Sequence, residues 1–140
     1  MTRQNLHRIS VLTVAWGSIF AAVHAYWALG GDAALNETAD SVAASLYIGF
    51  VALLGVAGAA VARGLDRPWG ERFGIARLRL TARTGGAMLA TGVVIGTVRW
   101  IVDGSLGDHA AAGIAITSYF LLGAILFLAL GFGRASHATP

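Results

Sequence analysis

The sequence has 140 residues, no cysteine and ten basic residues, all arginine, against seven aspartates and glutamates. Its hydrophobic fraction of 56% gives about 78 apolar residues, and four membrane helices of about 20 residues would need about 80. This composition excludes a water-soluble globule, and the missing cysteines exclude disulfide frameworks and thiolate metal sites.

Four long apolar runs follow one another along the chain and predict four transmembrane helices. They cover residues 9–29, 41–62, 85–102 and 110–132. Each is long enough to cross about 30 Å of hydrocarbon, and in lipid the backbone must bond within its own segment, which favours helices. The first run is too long for the apolar core of a signal peptide. We predict an all-α, four-helix transmembrane bundle that forms one domain over residues 1–140.

Arginines and carboxylates are predicted at opposite ends of this bundle. Arg3 and Arg8 precede the first span, six arginines lie between residues 63 and 83, and Arg134 follows the fourth span. The other two connections carry five carboxylates, which are Asp32, Glu37, Asp40, Asp103 and Asp108. The positive-inside rule therefore predicts that both termini of a multi-pass protein are cytoplasmic. Arginine without lysine, together with many alanines and glycines, looks like the composition of a high-GC bacterium, so a bacterial inner membrane is expected. The basic residues are then explained by the orientation of the chain in the membrane, and no nucleic-acid partner is expected.

The arginine-rich connection, residues 68–83, mixes aromatic and aliphatic side chains with arginine. Two interpretations remain open at the level of sequence. It forms a short interfacial helix whose arginines meet anionic membrane lipid, or it is a solvated loop. A bundle this small leaves each helix partly lipid-facing, so a homodimer is also compatible with the sequence.

Chemistry is expected at the opposite, outer end of the bundle. At 100° per residue, Trp16, Phe20, His24 and Trp27 share one face of the first helix. On the third helix a face is shared by Gly92, Gly96, Arg99 and Asp103, with Trp100 beside it. Ionisable groups within a membrane are functional candidates because burying them is costly. We expect the inner half to contribute no carboxylate.

The two glycines on the third helix have two interpretations. They allow another helix to approach closely, or they leave room for a ligand. The charged and aromatic residues have structural alternatives too, an Arg99–Asp103 ion pair and an aromatic belt at the headgroups.

A water-poor aromatic pocket with carboxylates suits acid-initiated cyclisation of an isoprenoid without a metal or other cofactor. A carboxylic acid protonates an alkene or epoxide, and aromatic faces stabilise the carbocation. Asp103 is the first candidate for the acid, but Arg99 one turn earlier favours its ionised form. If that pair forms, Glu37 becomes the donor and Asp103 a positioning or cation-stabilising group. His24 would orient or reprotonate the acid. The predicted substrate-lining residues are Trp16, Phe20, Trp27, Tyr47 and Trp100.

The segment Ala21–Gly31, with its His-Ala-Tyr-Trp-Ala-Leu-Gly-Gly core, resembles a family of small four-span membrane proteins of actinobacteria. Arg99-Trp100 at the end of the third span also fits that family's pattern. Members of similar layout are regarded as integral-membrane terpene cyclases. The resemblance implies a cyclase, an intramolecular isomerase, that acts on a lipophilic farnesylated substrate. The Asp-x-Asp-Asp motif of soluble cyclases is absent from the sequence.

The opposing hypothesis is a non-enzymatic accessory membrane protein that binds lipid or a membrane partner. In that case Arg99 and Asp103 hold helices together, and the aromatic residues only anchor the chain at the interface.

Overall fold

The computed structural model describes residues 1–31, 41–102 and 110–133, with side chains from residue 113 onward in the last range. Its four α-helices are α1 (Arg3–Ala28), α2 (Val42–Asp66), α3 (Ile75–Val102) and α4 (Ala110–Phe132), with a 3-10 helix at Pro68–Phe73 between α2 and α3. The described part of the chain is therefore all-helical and contains no strand. This confirms the predicted all-α class, and α4 covers the residues of the fourth predicted span.

The start of α3 differs from both interpretations of the arginine-rich connection. The helix begins at Ile75, ten residues before the predicted span, so Arg77, Arg79 and Arg83 lie on its first turns. Neither a separate interfacial helix nor a solvated loop is present over 75–83. Arginine is a good helix former, and its long apolar stem lets it extend a membrane helix past the hydrocarbon.

Local sequence sets several helix boundaries. The side-chain oxygens of Thr2 and Ser41 accept hydrogen bonds from the backbone N–H groups of Asn5 (3.2 Å) and Ala44 (3.1 Å), which caps α1 and α2. Pro68 follows an extended Arg67 at the end of α2. Gly74 has a φ of 81°, a conformation that suits glycine, where the chain turns from the 3-10 helix into α3.

The helices form an antiparallel bundle in which each packs against the next and α4 closes against α1. One close crossing joins α1 and α2, where a Cβ at Gly17 would lie 3.0 Å from the carbonyl oxygen of Gly55. Small residues commonly allow such close approach between membrane helices. At one end of the bundle the Met1 side chain lies against Gly133, so the two ends of the described chain are neighbours.

The outward surface of the bundle is strongly apolar along the middle of each helix. More than half of the surface of each of four large apolar residues, one per helix, is exposed: Leu12, Leu53, Val94 and Ile125. All four helices are long and apolar enough to cross a membrane. Since a water-exposed surface of this kind would drive association, lipid is its natural surrounding, which indicates a multi-pass membrane protein.

The glycine face of α3 does not contact a neighbouring helix. A Cβ added at Gly92 or Gly96 would meet no atom within 4 Å, and both glycines are exposed. Within the described ranges, the close helix approach proposed for these two glycines is therefore absent. Their alternative role, leaving room for a ligand, stays a prediction.

Candidate functional site

The aromatic rings of α1 form a continuous column on one face of the helix. Trp16 stacks on Phe20 with ring centroids 5.2 Å apart, and Phe20 stacks on His24 at 4.0 Å. Trp27 meets His24 edge-on at 5.0 Å. The spacings of four, four and three residues place these rings on one face, as the 100° periodicity predicts. We call these four residues the aromatic column.

Three rings of α4 pack against Trp16 and Phe20, which form the lower half of this column. They are Tyr119, Phe120 and Phe127. Trp16 and Tyr119 exchange two hydrogen bonds. The Trp16 Nε1–H donates to the Tyr119 carbonyl at 2.9 Å, and the Tyr119 hydroxyl donates to the Trp16 carbonyl at 3.0 Å. These bonds satisfy polar groups that would otherwise be costly inside a membrane, and they fix the register of α1 against α4.

His24 is the titratable group of the column, and its hydrogen bond defines its tautomer. Its Nδ1 lies 2.8 Å from the carbonyl oxygen of Phe20. A carbonyl only accepts, so Nδ1 carries the hydrogen, and whenever the ring is neutral its lone pair is on Nε2. His24 is half-buried and has Phe20 on its ring face and Trp27 at its edge. The imidazole is thus held by its own helix in aromatic surroundings.

The depth of His24 follows from the geometry of α1. His7 lies at the arginine-rich end of the bundle, where its Nδ1 is 2.8 Å from Oδ2 of Asp66. Seventeen residues separate His7 from His24, which is about 25 Å along a helix. His24 therefore lies near the end of the bundle opposite the arginines.

The remaining predicted site residues are not all part of this column. Trp100 packs over the backbone of Gly113 on α4, and Arg99 is exposed one residue earlier. Tyr47 on α2 is 69% exposed. Glu37 and Asp103 lie outside the described residues, so their predicted roles and the Arg99–Asp103 pair stay predictions.

Trp16 and Phe20, predicted to line a cavity, are buried with 6% and 7% of their surfaces exposed. Their rings contact each other and the rings of α4. The upper half of the column, His24 and Trp27, is less enclosed than this lower half.

The expectation of no carboxylate at the inner end was wrong. The Asp66 side chain is only 9% exposed, and its Oδ2 lies 2.8 Å from Nδ1 of His7, 3.7 Å from Arg63 and 3.9 Å from Arg67. The sequence contained the signal, because Asp66 lies between two arginines at the end of an apolar run. The cluster joins the first turns of α1 to the last turn of α2. Among the described residues no group of three His, Cys, Asp or Glu side chains is arranged to hold a metal ion.

Comparison with protein-family models, with curated protein sequences and with solved structures finds no match to this chain. The family resemblance of the Ala21–Gly31 segment therefore rests on its residues alone.

Proposed function

We propose that this protein is a membrane-embedded, acid-initiated cyclase of a lipophilic prenylated substrate. The observation that carries the proposal is the environment of His24, whose Nδ1–H donates to the Phe20 carbonyl and whose ring lies beside aromatic rings at one end of a transmembrane bundle. Such surroundings suit a reaction that needs π faces for a cation and a base for its last proton.

The proposed reaction is an isomerisation in which protons balance. A carboxylic acid adds a proton to an alkene of the substrate, or to an epoxide oxygen, and a neighbouring alkene closes the ring on the resulting cation. Loss of a proton from the carbon next to the final cation gives a new alkene. Nε2 of His24 accepts this proton, which then returns to the acid, and the product has the mass of the substrate.

The acid of the proposal is Glu37 or Asp103. Both belong to the connections at the end of the bundle where His24 lies, since α1 ends at Ala28 and α3 at Val102. Arg99 is one turn before Asp103 and favours the ionised form of the Asp103 carboxyl. If Arg99 and Asp103 form an ion pair, Glu37 is the better proton donor. Trp27 and Trp100 are proposed to line the substrate site with Tyr47.

The chain is proposed to reside in a bacterial cell membrane with both termini in the cytoplasm. The support is the concentration of arginines at one end. Among the described arginines, eight lie at the end that contains Asp66 and only Arg99 lies at the other. A farnesylated substrate would partition into the same membrane.

A second candidate function, an accessory membrane protein without catalysis, is favoured by the lower half of the column. Trp16 has Phe20 and Tyr119 stacked on it and Phe127 at its edge, which is the arrangement of a packed core. In that function the column holds α1 against α4, and His24 stabilises the packing.

Turnover by the full chain distinguishes the two functions. Membranes that contain the protein are incubated with a panel of linear farnesylated acceptors, such as a farnesyl-indole, and products of unchanged mass are sought by chromatography and mass spectrometry. His24→Gln, which cannot accept the proton, is expected to lose turnover about 100-fold or more. Ser18→Ala, on the exposed face of the same helix, is the matched control and is expected to keep it.

The acid is assigned by Glu37→Gln and Asp103→Asn, assayed separately on the same panel. Loss of turnover in one of them identifies the donor. No isomeric product across the panel, or full turnover in His24→Gln, would contradict the proposed cyclase and favour the accessory function.

A further inference from the structure

Four exposed residues at the arginine-rich end form a mixed aromatic and cationic surface: Trp69, Arg72, Phe73 and Arg77. We call them the Trp69–Arg77 patch. The Trp69 and Phe73 rings meet edge-on at 5.7 Å, and 39% and 60% of their surfaces are exposed. The patch does not belong to the aromatic column, which lies nearer the other end of the bundle.

The patch is held in a fixed position by glycines. A Cβ at Gly70 would collide with the backbone of Gly64, so the 3-10 helix lies directly on α2. The Trp69 ring rests on the same Gly64, within 3.0 Å of where its Cβ would be. Arg77 extends over Gly74, with its Cδ 3.8 Å from a Cβ built there. The exposed groups are therefore presented by rigid backbone at the end of the bundle.

The patch region contains two arginines and one exposed carboxylate, Glu71 beside Arg72, so its net charge is positive. Among the described residues, Asp66 is the carboxylate that accepts arginine ion pairs, and its partners are Arg63 and Arg67. Arg72 and Arg77 form no ion pair within the described ranges. The first turn of α3 contains no acidic residue, so its unsatisfied N–H groups add further positive potential.

We propose that the Trp69–Arg77 patch binds the headgroup of an anionic phospholipid. The patch terminates two membrane helices, where headgroups lie, and the guanidinium groups match the phosphate in charge and in hydrogen-bond geometry. Trp69 and Phe73 supply the apolar part, since aromatic rings favour the boundary between headgroup and acyl chain. The bound lipid fixes the depth of the α2–α3 connection in the membrane.

The test is native mass spectrometry of the full chain in detergent, titrated with phosphatidylglycerol or with phosphatidylcholine of the same acyl chains. The wild type is expected to retain phosphatidylglycerol at least tenfold more tightly. The double variant Arg72→Gln, Arg77→Gln is expected to raise the dissociation constant for phosphatidylglycerol about 25-fold, roughly fivefold per arginine. Phe73→Ala is expected to weaken both lipids alike.

Arg99→Gln is the charge-matched control, because Arg99 is an exposed arginine at the other end of the bundle. It is expected to leave lipid retention unchanged, and circular dichroism verifies that each variant is folded. Equal retention of the two lipids by the wild type would overturn the proposal. So would a loss in Arg99→Gln as large as the loss per arginine in the double variant, because net charge alone would then account for binding.

Discussion

The close crossing of α1 and α2 makes Gly55 the most informative position for a single added methyl group. A Cβ at Gly55 would lie 2.8 Å from Cδ1 of Phe20 and 3.1 Å from the carbonyl oxygen of Gly17. The carbonyl belongs to helix backbone, and the Phe20 ring is held between Trp16 and His24. Neither neighbour moves freely, so Gly55→Ala must separate the helices or displace the ring.

The expected magnitude comes from two opposing terms. An extra methyl in a packed interface costs about 1–3 kcal/mol, and replacing glycine by alanine inside a helix returns about 1 kcal/mol. Gly92→Ala is the matched control, because a Cβ there meets nothing within 4 Å and only the second term applies. We expect Gly55→Ala to be less stable than Gly92→Ala by about 1–3 kcal/mol.

The two variants are compared by titrating the purified protein in mild detergent with dodecyl sulfate and following tryptophan fluorescence and circular dichroism. Phe20→Leu in the Gly55→Ala background should recover part of the loss, since it removes the obstructing ring. Equal stability of Gly55→Ala and Gly92→Ala would refute the reasoning and show that the crossing tolerates a methyl group.

Three further predictions concern other parts of the bundle. Tyr119→Phe removes the hydroxyl bonded to the Trp16 carbonyl and should lower stability by about 0.6–1.5 kcal/mol, whereas Tyr47→Phe should have no effect. In the same titration Asp66→Asn should be less stable than the wild type by about 1–2 kcal/mol, because two arginines and His7 lose their contact with a largely buried carboxylate; unchanged stability would contradict this account of the cluster. In this cysteine-free chain, Leu29→Cys should react in intact cells with an impermeant maleimide and Arg72→Cys should not, and the reverse labelling would invert the predicted topology.

Much of the fold was predictable, because a membrane helix is recognisable in sequence as a long apolar run. Helix α4 begins and ends at the residues predicted for the fourth apolar run, Ala110 and Phe132. The start of α3 at Ile75 was not predicted. Arginines that precede an apolar run suggest a loop between helices, yet arginine is a good helix former and extends the helix. Which helix face meets a neighbour is also a tertiary property. The exposed position of Gly92 therefore could not be deduced from the spacing of glycines.

The candidate site was predictable on one helix only. The period of 3.6 residues placed Trp16, Phe20, His24 and Trp27 together, and their ring contacts confirm that prediction. Their partners on α4 could not be found in this way, because Tyr119 is 103 residues from Trp16 along the chain. The cluster at Asp66 was not predicted either, because its partner His7 is 59 residues away along the chain and on another helix.

The hydrogen bond from His24 to the Phe20 carbonyl stays within α1, and this has a mechanical consequence. An imidazole that is hydrogen-bonded to the preceding turn of its own helix moves with that helix as a rigid body. If α1 and α4 separate to admit a molecule, His24 travels with α1 and keeps its tautomer, while Tyr119 and Phe120 stay with α4. The orientation of the imidazole is thus set within α1 and does not depend on how α1 packs against α4.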